Sequence, residues 1–210
     1  MVSGVKHAEP PSRRIISFLR VGGMFYGRTL IRGFSSPIVS SFAGQLLPKR
    51  NYSTKARKTV FVDVQADFWN GDPDIDALCR MEHAPECEFE AMAFPMCANK
   101  MGPFNSQNTF LAGKCLKDYF MFPHVGRMDD IWAAYYLQAK GYRAVWARAS
   151  VYQLRNPHDL VRDMVQEYLG YENNLKLVQD LALDPESIAA YLPGKSNWAF
   201  ELYRRHFKDV

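Results

Sequence analysis

The chain has 210 residues, 48% apolar and 14% aromatic, enough for one domain with a sizeable core and too apolar for wholesale disorder. No run approaches the ~18 uninterrupted apolar residues that a membrane-spanning helix needs. The net charge of +4 is uneven: residues 1–58 hold 11 Lys/Arg against the single acid Glu9, and the rest holds 15 bases against 21 acids, which argues against a nucleic-acid binder.

In chain order, residues 1–58 are rich in Arg, Ser and Gly and end "LLPKRNYSTKARK". Three readings of this basic segment stay open: an organelle transit peptide, a solvated tail, or an edge of the fold. Gly22-Gly23 would interrupt the amphipathic helix of a transit peptide. Ile15, Ile16, Phe18, Leu19, Phe25 and Tyr26 favour a piece of the fold.

Residues 59–210 read as one domain. Val60, Val62 and Val64 alternate with Phe61, Asp63 and Gln65, a strand signature. "NGDP" is a turn, and "DIDALCRM" predicts a short helix with acids in its first turn. Short strands and loops follow, then a helix near residues 112–119. Asp129 to Lys140 predicts a helix, with Asp129 as N-cap and Gly141 as stop. "YRAVWARASVYQL" is a strand. Asn156 as cap and Pro157 at the first helical position open a long helix, with Leu160, Met164, Tyr168, Val161, Val165 and Leu169 as its apolar stripe. The alternation of strands and helices gives the α/β class. Cys79, Cys87, Cys97 and Cys115 lack close CxxC pairs, which predicts reduced, mostly buried thiols and a cytoplasmic setting, with organelle targeting by the basic segment as the alternative.

Four constellations can carry chemistry. Asp129 and Asp130 sit at a helix start, where free amides and the dipole stabilise carboxylates by roughly 0.3–1 kcal/mol each. Successive helical residues point ~100° apart, so one acid can cap while the other faces a cleft and accepts a hydroxyl proton. Capping plus an ion pair to Arg127 is the plainer alternative. Asp72, Asp74 and Asp76 stand at alternate positions, as suits a turn, a ligand or a hard divalent cation, although the EF-hand spacing is lacking. Asn99, Asn105, Ser106, Gln107 and Asn108 form a loop whose amides donate and accept at once, which suits sugar hydroxyls. Arg155 and His158 lie at a strand-to-helix junction suited to anions. No GxGxxG, GxxxxGK[ST] or GxSxG motif is present.

"FWNGDPDIDA", "FPMC" and "GRMDDIWAAYY" resemble, in the same order, the later half of plant reversibly glycosylated polypeptides, the UDP-arabinopyranose mutase family. "VGRMDDIW" followed by "VYQLRNPHDLVRDM" also resembles STELLO-type glycosyltransferases. The resemblance covers roughly residues 59–182, and "RGF" at 32–34 extends it. It implies a GT-A-like fold, the nucleotide-diphospho-sugar transferase architecture of a mixed sheet flanked by helices. It also implies transfer of a sugar from a UDP-type donor to a hydroxyl acceptor. Asp130 and Asp129 become the catalytic acids. Arg127, Trp132, Asn105, Gln107, Asn108, Trp69, Asp72, Asp74 and Arg155 become substrate contacts, and His158 a contact to a divalent cation (Mn or Mg) or to diphosphate. In the mutases the acidic metal triplet precedes the Arg-Gly-aromatic element, whereas here about 31 residues with one acid precede it. The expectation is therefore a partial fold that lacks the nucleotide-binding half and the main metal ligands. The alternative is a non-catalytic carbohydrate- or partner-binding module derived from that fold.

Overall fold

The computed structural model describes residues 16–20, 57–82, 86–89, 95–97 and 101–207. The choice among transit peptide, solvated tail and edge of the fold for residues 1–58 falls largely outside them. Six strands, β1 (Ile16–Arg20), β2 (Arg57–Val60), β3 (Val64–Gly71), β4 (Met96–Cys97), β5 (Thr109–Leu111) and β6 (Ala144–Gln153), form a mixed sheet in the order β2-β1-β4-β6-β3-β5. Its continuous part is a three-stranded block: β3 is parallel to β6 and antiparallel to β5, whereas β4 joins β6 at the single pair Met96–Trp146. Among the described residues, four helices flank this block: α1 (Ala77–Glu82), α2 (Asp129–Ala139), α3 (Leu160–Leu183) and α4 (Gly194–His206). The fold is thus mixed α/β. Among the described residues, no helix is long and apolar enough to cross a membrane.

The single strand expected across residues 60–65 is two strands with a break. At the break, the amides of Asp63 and Val64 both donate to the carbonyl of Arg143, at 3.0 and 3.1 Å, and the Asp63 side chain accepts from the Arg143 amide at 2.8 Å. The chain turns where one carboxylate can satisfy the entrance to β6. Gly71, at φ +92°, ends β3, and a Cβ there would meet the Gln153 carbonyl at 2.4 Å. Helix α1 starts one residue after Asp76, whose carboxylate accepts from the Cys79 amide at 3.0 Å, so the acid caps the helix from outside rather than sitting in its first turn.

The helix expected near 112–119 is a 3₁₀ turn at Gly113–Cys115, closed by three-residue bonds such as Leu116 N–H to the Gly113 carbonyl at 3.1 Å. The long helix opens at Leu160 rather than after Asn156. Asp159, not Asn156, accepts from the Arg162 amide at 3.1 Å, and residues 156–159 stay non-helical. Its expected apolar stripe holds only in part: Leu160, Met164 and Leu169 are half-buried, whereas Val161, Val165 and Tyr168 are 62%, 67% and 60% exposed. The buried side chains are instead Glu167, Leu177 and Leu181, with Gly170 at the closest approach. Gly141, at φ +91°, stops α2 as the sequence implied. Cys87 and Cys115 are free thiols, and Cys79, Cys87 and Cys115 are buried. Burial pushes the thiols of Cys87 and Cys115 up to about 11.

Helix α2 lies between two apolar clusters. Trp132, Ala133 and Tyr136 face Phe122, Leu177, Ile188, Leu192 and Phe200, while Ala134 and Leu137 face Val64, Phe104, Ala144 and Trp146. Buried on both sides, α2 is fixed in place, and so is its N-terminus. The segment beyond residue 183, left unassigned by sequence, supplies part of this core: α4 brings Phe200 within 5.1 Å of the Phe122 ring and 5.3 Å of the Tyr136 ring.

Candidate functional site

The first turn of α2 is set by the 3₁₀ turn Gly126–Met128 that precedes it. Gly126 has φ +63°, and a Cβ there would lie 2.2 Å from the Gln166 carbonyl of α3. A Cβ on Gly170 would lie 2.2 Å from the Met128 sulfur. Gly126 thus lets the backbone of this turn touch that of α3, and Gly170 makes room for the Met128 side chain, which together bring Arg127 against α3.

Asp129 is the first helical residue rather than the cap, and no side chain caps at Met128. Its Oδ1 accepts from the Asp130 amide at 2.9 Å. Asp130 is buried, and its Oδ2 accepts from the Ser106 amide at 2.7 Å and the Ser106 hydroxyl at 3.1 Å. Burial holds the Asp130 carboxyl above the usual carboxylate range. The negative charges of Asp129 and Asp74 add to this, and the two Ser106 bonds oppose it. The hydroxyl of Tyr119 is buried without a hydrogen-bond partner among the described residues. Its ring stacks on Phe104 at 6.1 Å, and burial, then the charges of Asp130 and Asp129, push its phenol above the usual tyrosine range.

Asp74 is the second centre. Its Oδ2 accepts from Asn105 Nδ2 at 2.9 Å and Gln107 Nε2 at 3.4 Å, and its Oδ1 is engaged by Arg155 Nη1. Arg127 Nη2 stands 3.8 Å from the same Oδ1. Arg127 also reaches Asp163 at 3.4 Å and Glu167 at 3.0 Å, and His158 Nδ1 lies 2.9 Å from Asp163 Oδ2. Glu167 is buried and further accepts from the Ala77 amide at 2.8 Å and the Tyr171 hydroxyl at 2.5 Å. The fold therefore joins Asn105, Gln107, Asp74, Arg127, Arg155 and, through Asp163, His158 in one polar network, and Asp130 is tied to the same loop at Ser106.

Other expected contacts sit elsewhere. Trp132 is fully buried, its Nε1 donating to Asn174 Oδ1 at 2.7 Å, so its indole presents no face to a sugar. An aromatic residue in the first turn of a helix buried on both sides has nowhere else to go. Asp72 turns to Arg80 at 2.7 Å. Asn108 bridges the Phe68 carbonyl at 3.2 Å and Ser150 Oγ at 2.9 Å, tying the loop to the irregular stretch of the β3–β6 pair. Trp69 is half-buried in β3, opposite Val151. His158 shares Asp163, and among the described residues no three His, Cys, Asp or Glu side chains converge as a metal site.

Sequence reasoning missed Asp163, Glu167 and Tyr171. They recur every four residues along α3, so they share one face, the face that meets Arg127. That spacing was a readable signal, masked by the apolar residues interleaved with it. Ser106 belongs to the loop whose polar side chains suit a ligand, and no local signal in the sequence marks it as the partner of Asp130.

A buried carboxyl beside amides and paired acids can accept hydroxyl hydrogen bonds and take up a proton. No protein-family model matches the chain, and no curated protein matches it.

Proposed function

We propose that the chain forms the sugar- and acceptor-side part of a nucleotide-sugar-dependent glycosyltransferase, acting with a UDP-type donor and a hydroxyl acceptor. The observation that carries the reading is Asp130, buried, raised in basicity and held by the loop that carries Asn105 and Gln107. The ordered motif resemblance supplies the substrate class. In this reading the Asp130 carboxylate takes the proton of the acceptor hydroxyl as its oxygen attacks the anomeric carbon. The bond from that carbon to the diphosphate breaks, and UDP leaves with the electron pair. Asp74, anchored by Arg155, orients the Asn105 and Gln107 amides at the rim.

A second reading, a non-catalytic carbohydrate-binding module, has its own support: Arg127 and Arg155 are both committed to carboxylates, so neither is free for a diphosphate. One experiment separates the two. The 210-residue chain is titrated by NMR with neutral monosaccharides and UDP-sugars, and UDP release is followed with hydroxyl acceptors. Saccharide-dependent shifts at the Asp130–Ser106 signals, weakened about tenfold in Asp130→Asn (about 1.4 kcal/mol), are expected under both readings. Release of UDP with a hydroxyl-linked product by wild type alone identifies the enzyme; binding without turnover identifies the module. A chain whose Asp130–Ser106 signals respond to no saccharide refutes both.

A further inference from the structure

Both bonds that Asp130 receives from the loop end on one oxygen. The Ser106 amide and hydroxyl reach Oδ2 at 2.7 and 3.1 Å, and no described residue donates to Oδ1. Ser106 itself is exposed while Asp130 is buried, so the loop residue closes over the acid from the solvent side. Resting on the saccharide-binding reading above, we propose that Ser106 is the positioning residue of the site, clamping Asp130 through Oδ2 so that Oδ1 is the oxygen that meets a ligand hydroxyl.

The physical case has three parts. An oxygen that already accepts two donors has its lone pairs engaged and its charge stabilised, so an added proton goes to the other oxygen. Two donors on one atom also fix the carboxylate plane, which a single bond would leave free to rotate. The charged groups facing Asp130 are Asp129 on its own helix and Asp74 from the β3–α1 loop, both negative, with the Tyr119 phenol beside them. Arg127 is held by Asp163 and Glu167. Ser106 is therefore the group that keeps Asp130 ionisable against burial and like charge, and its two bonds act in opposition to both.

The test follows the Asp130 side-chain carboxyl carbon by NMR across pH in the ligand-free 210-residue chain, in wild type, Ser106→Ala and Ser106→Thr. The titration midpoint is expected to rise in Ser106→Ala and to return in Ser106→Thr, which restores a hydroxyl. In wild type, the Ser106 amide proton is expected to titrate with the same midpoint as Asp130, a readout that needs no variant to fold. Coincident wild-type and Ser106→Ala curves, or a Ser106 amide that ignores the Asp130 titration, overturn the proposal. Free arabinose and glucose are then titrated above and below the Asp130 midpoint, and Ser106→Ala is expected to shift the pH at which saccharide binding changes. If neither sugar perturbs wild type while the ligand-free titrations behave as stated, the saccharide reading falls and the Ser106 clamp stands.

Discussion

Replacing Gly126 with alanine tests whether close approach of α3 builds the site. Two costs are legible in the structure. At φ +63° an L-residue is held in the left-handed region, worth about 1–2 kcal/mol. The new Cβ would also stand 2.2 Å from the Gln166 carbonyl, a backbone atom that cannot swing away, so α3 must shift. Overpacking of this kind costs roughly 1–3 kcal/mol. Gly141→Ala is the internal control, since Gly141 has φ +91° but a methyl placed there would meet nothing within 4 Å, leaving only the backbone cost. Urea unfolding of both variants should place Gly126→Ala about 1–3 kcal/mol below Gly141→Ala, and for a chain of this size the Tm gap is roughly 2–12 °C. The displacement should also loosen Arg127 from Asp163 and Glu167, seen as altered Arg127 Nε–H signals in Gly126→Ala and unchanged signals in Gly141→Ala. Equal stability of the two variants would refute the claim that the α3 contact, rather than turn conformation alone, demands glycine at 126.

Two further outcomes follow from the same network. Glu167→Ala removes the buried partner of Arg127, the Ala77 amide and the Tyr171 hydroxyl, so urea unfolding should show a loss of about 3–5 kcal/mol, against a change within about 0.5 kcal/mol for the exposed Glu172→Ala. A loss below ~1 kcal/mol for Glu167→Ala would mean that Arg127 and its neighbours re-pair in water. The second concerns acid. A carboxyl raised on folding stabilises the protein below its unfolded range and loses that contribution as pH rises through its folded value. Wild type should therefore gain stability relative to Asp130→Asn on acidification from neutral pH to the ordinary carboxylate range. An opposite difference would show that the Ser106 bonds outweigh burial, and a flat one that they offset it; either refutes the expected direction.

Helix α2, the strand 144–153 and the Gly141 stop were legible because local signals agree there: a strong apolar content, β-branched and aromatic residues, and a glycine where positive φ is required. The α/β class followed from their alternation. The start of the long helix was not legible, because Asn156-Pro157 and Asp159 are both acceptable openings. Tertiary packing chose the later one, leaving Arg155 and His158 on a non-helical approach that reaches Asp74 and Asp163. The turn at 113–115 was not legible either: Ala112, Cys115 and Tyr119 pack against the core as a helical stripe would, yet the backbone closes with short-range bonds from the Cys115 amide to the Ala112 carbonyl and from the Leu116 amide to the Gly113 carbonyl.

For the site, the sequence by itself determined the inventory: two acids at a helix start, an amide-rich loop, spaced aspartates and an Arg-His junction. What it could not determine was pairing, because these stretches lie 24 to 81 residues apart along the chain. Only the folded chain decided that Asp130 belongs to Ser106, that Asp74 belongs to Arg155 and the loop amides, and that Trp132 belongs to the core. The reason is physical: a side chain's role depends on how far it is removed from water and on which charges are removed with it, and both are properties of packing rather than of sequence order.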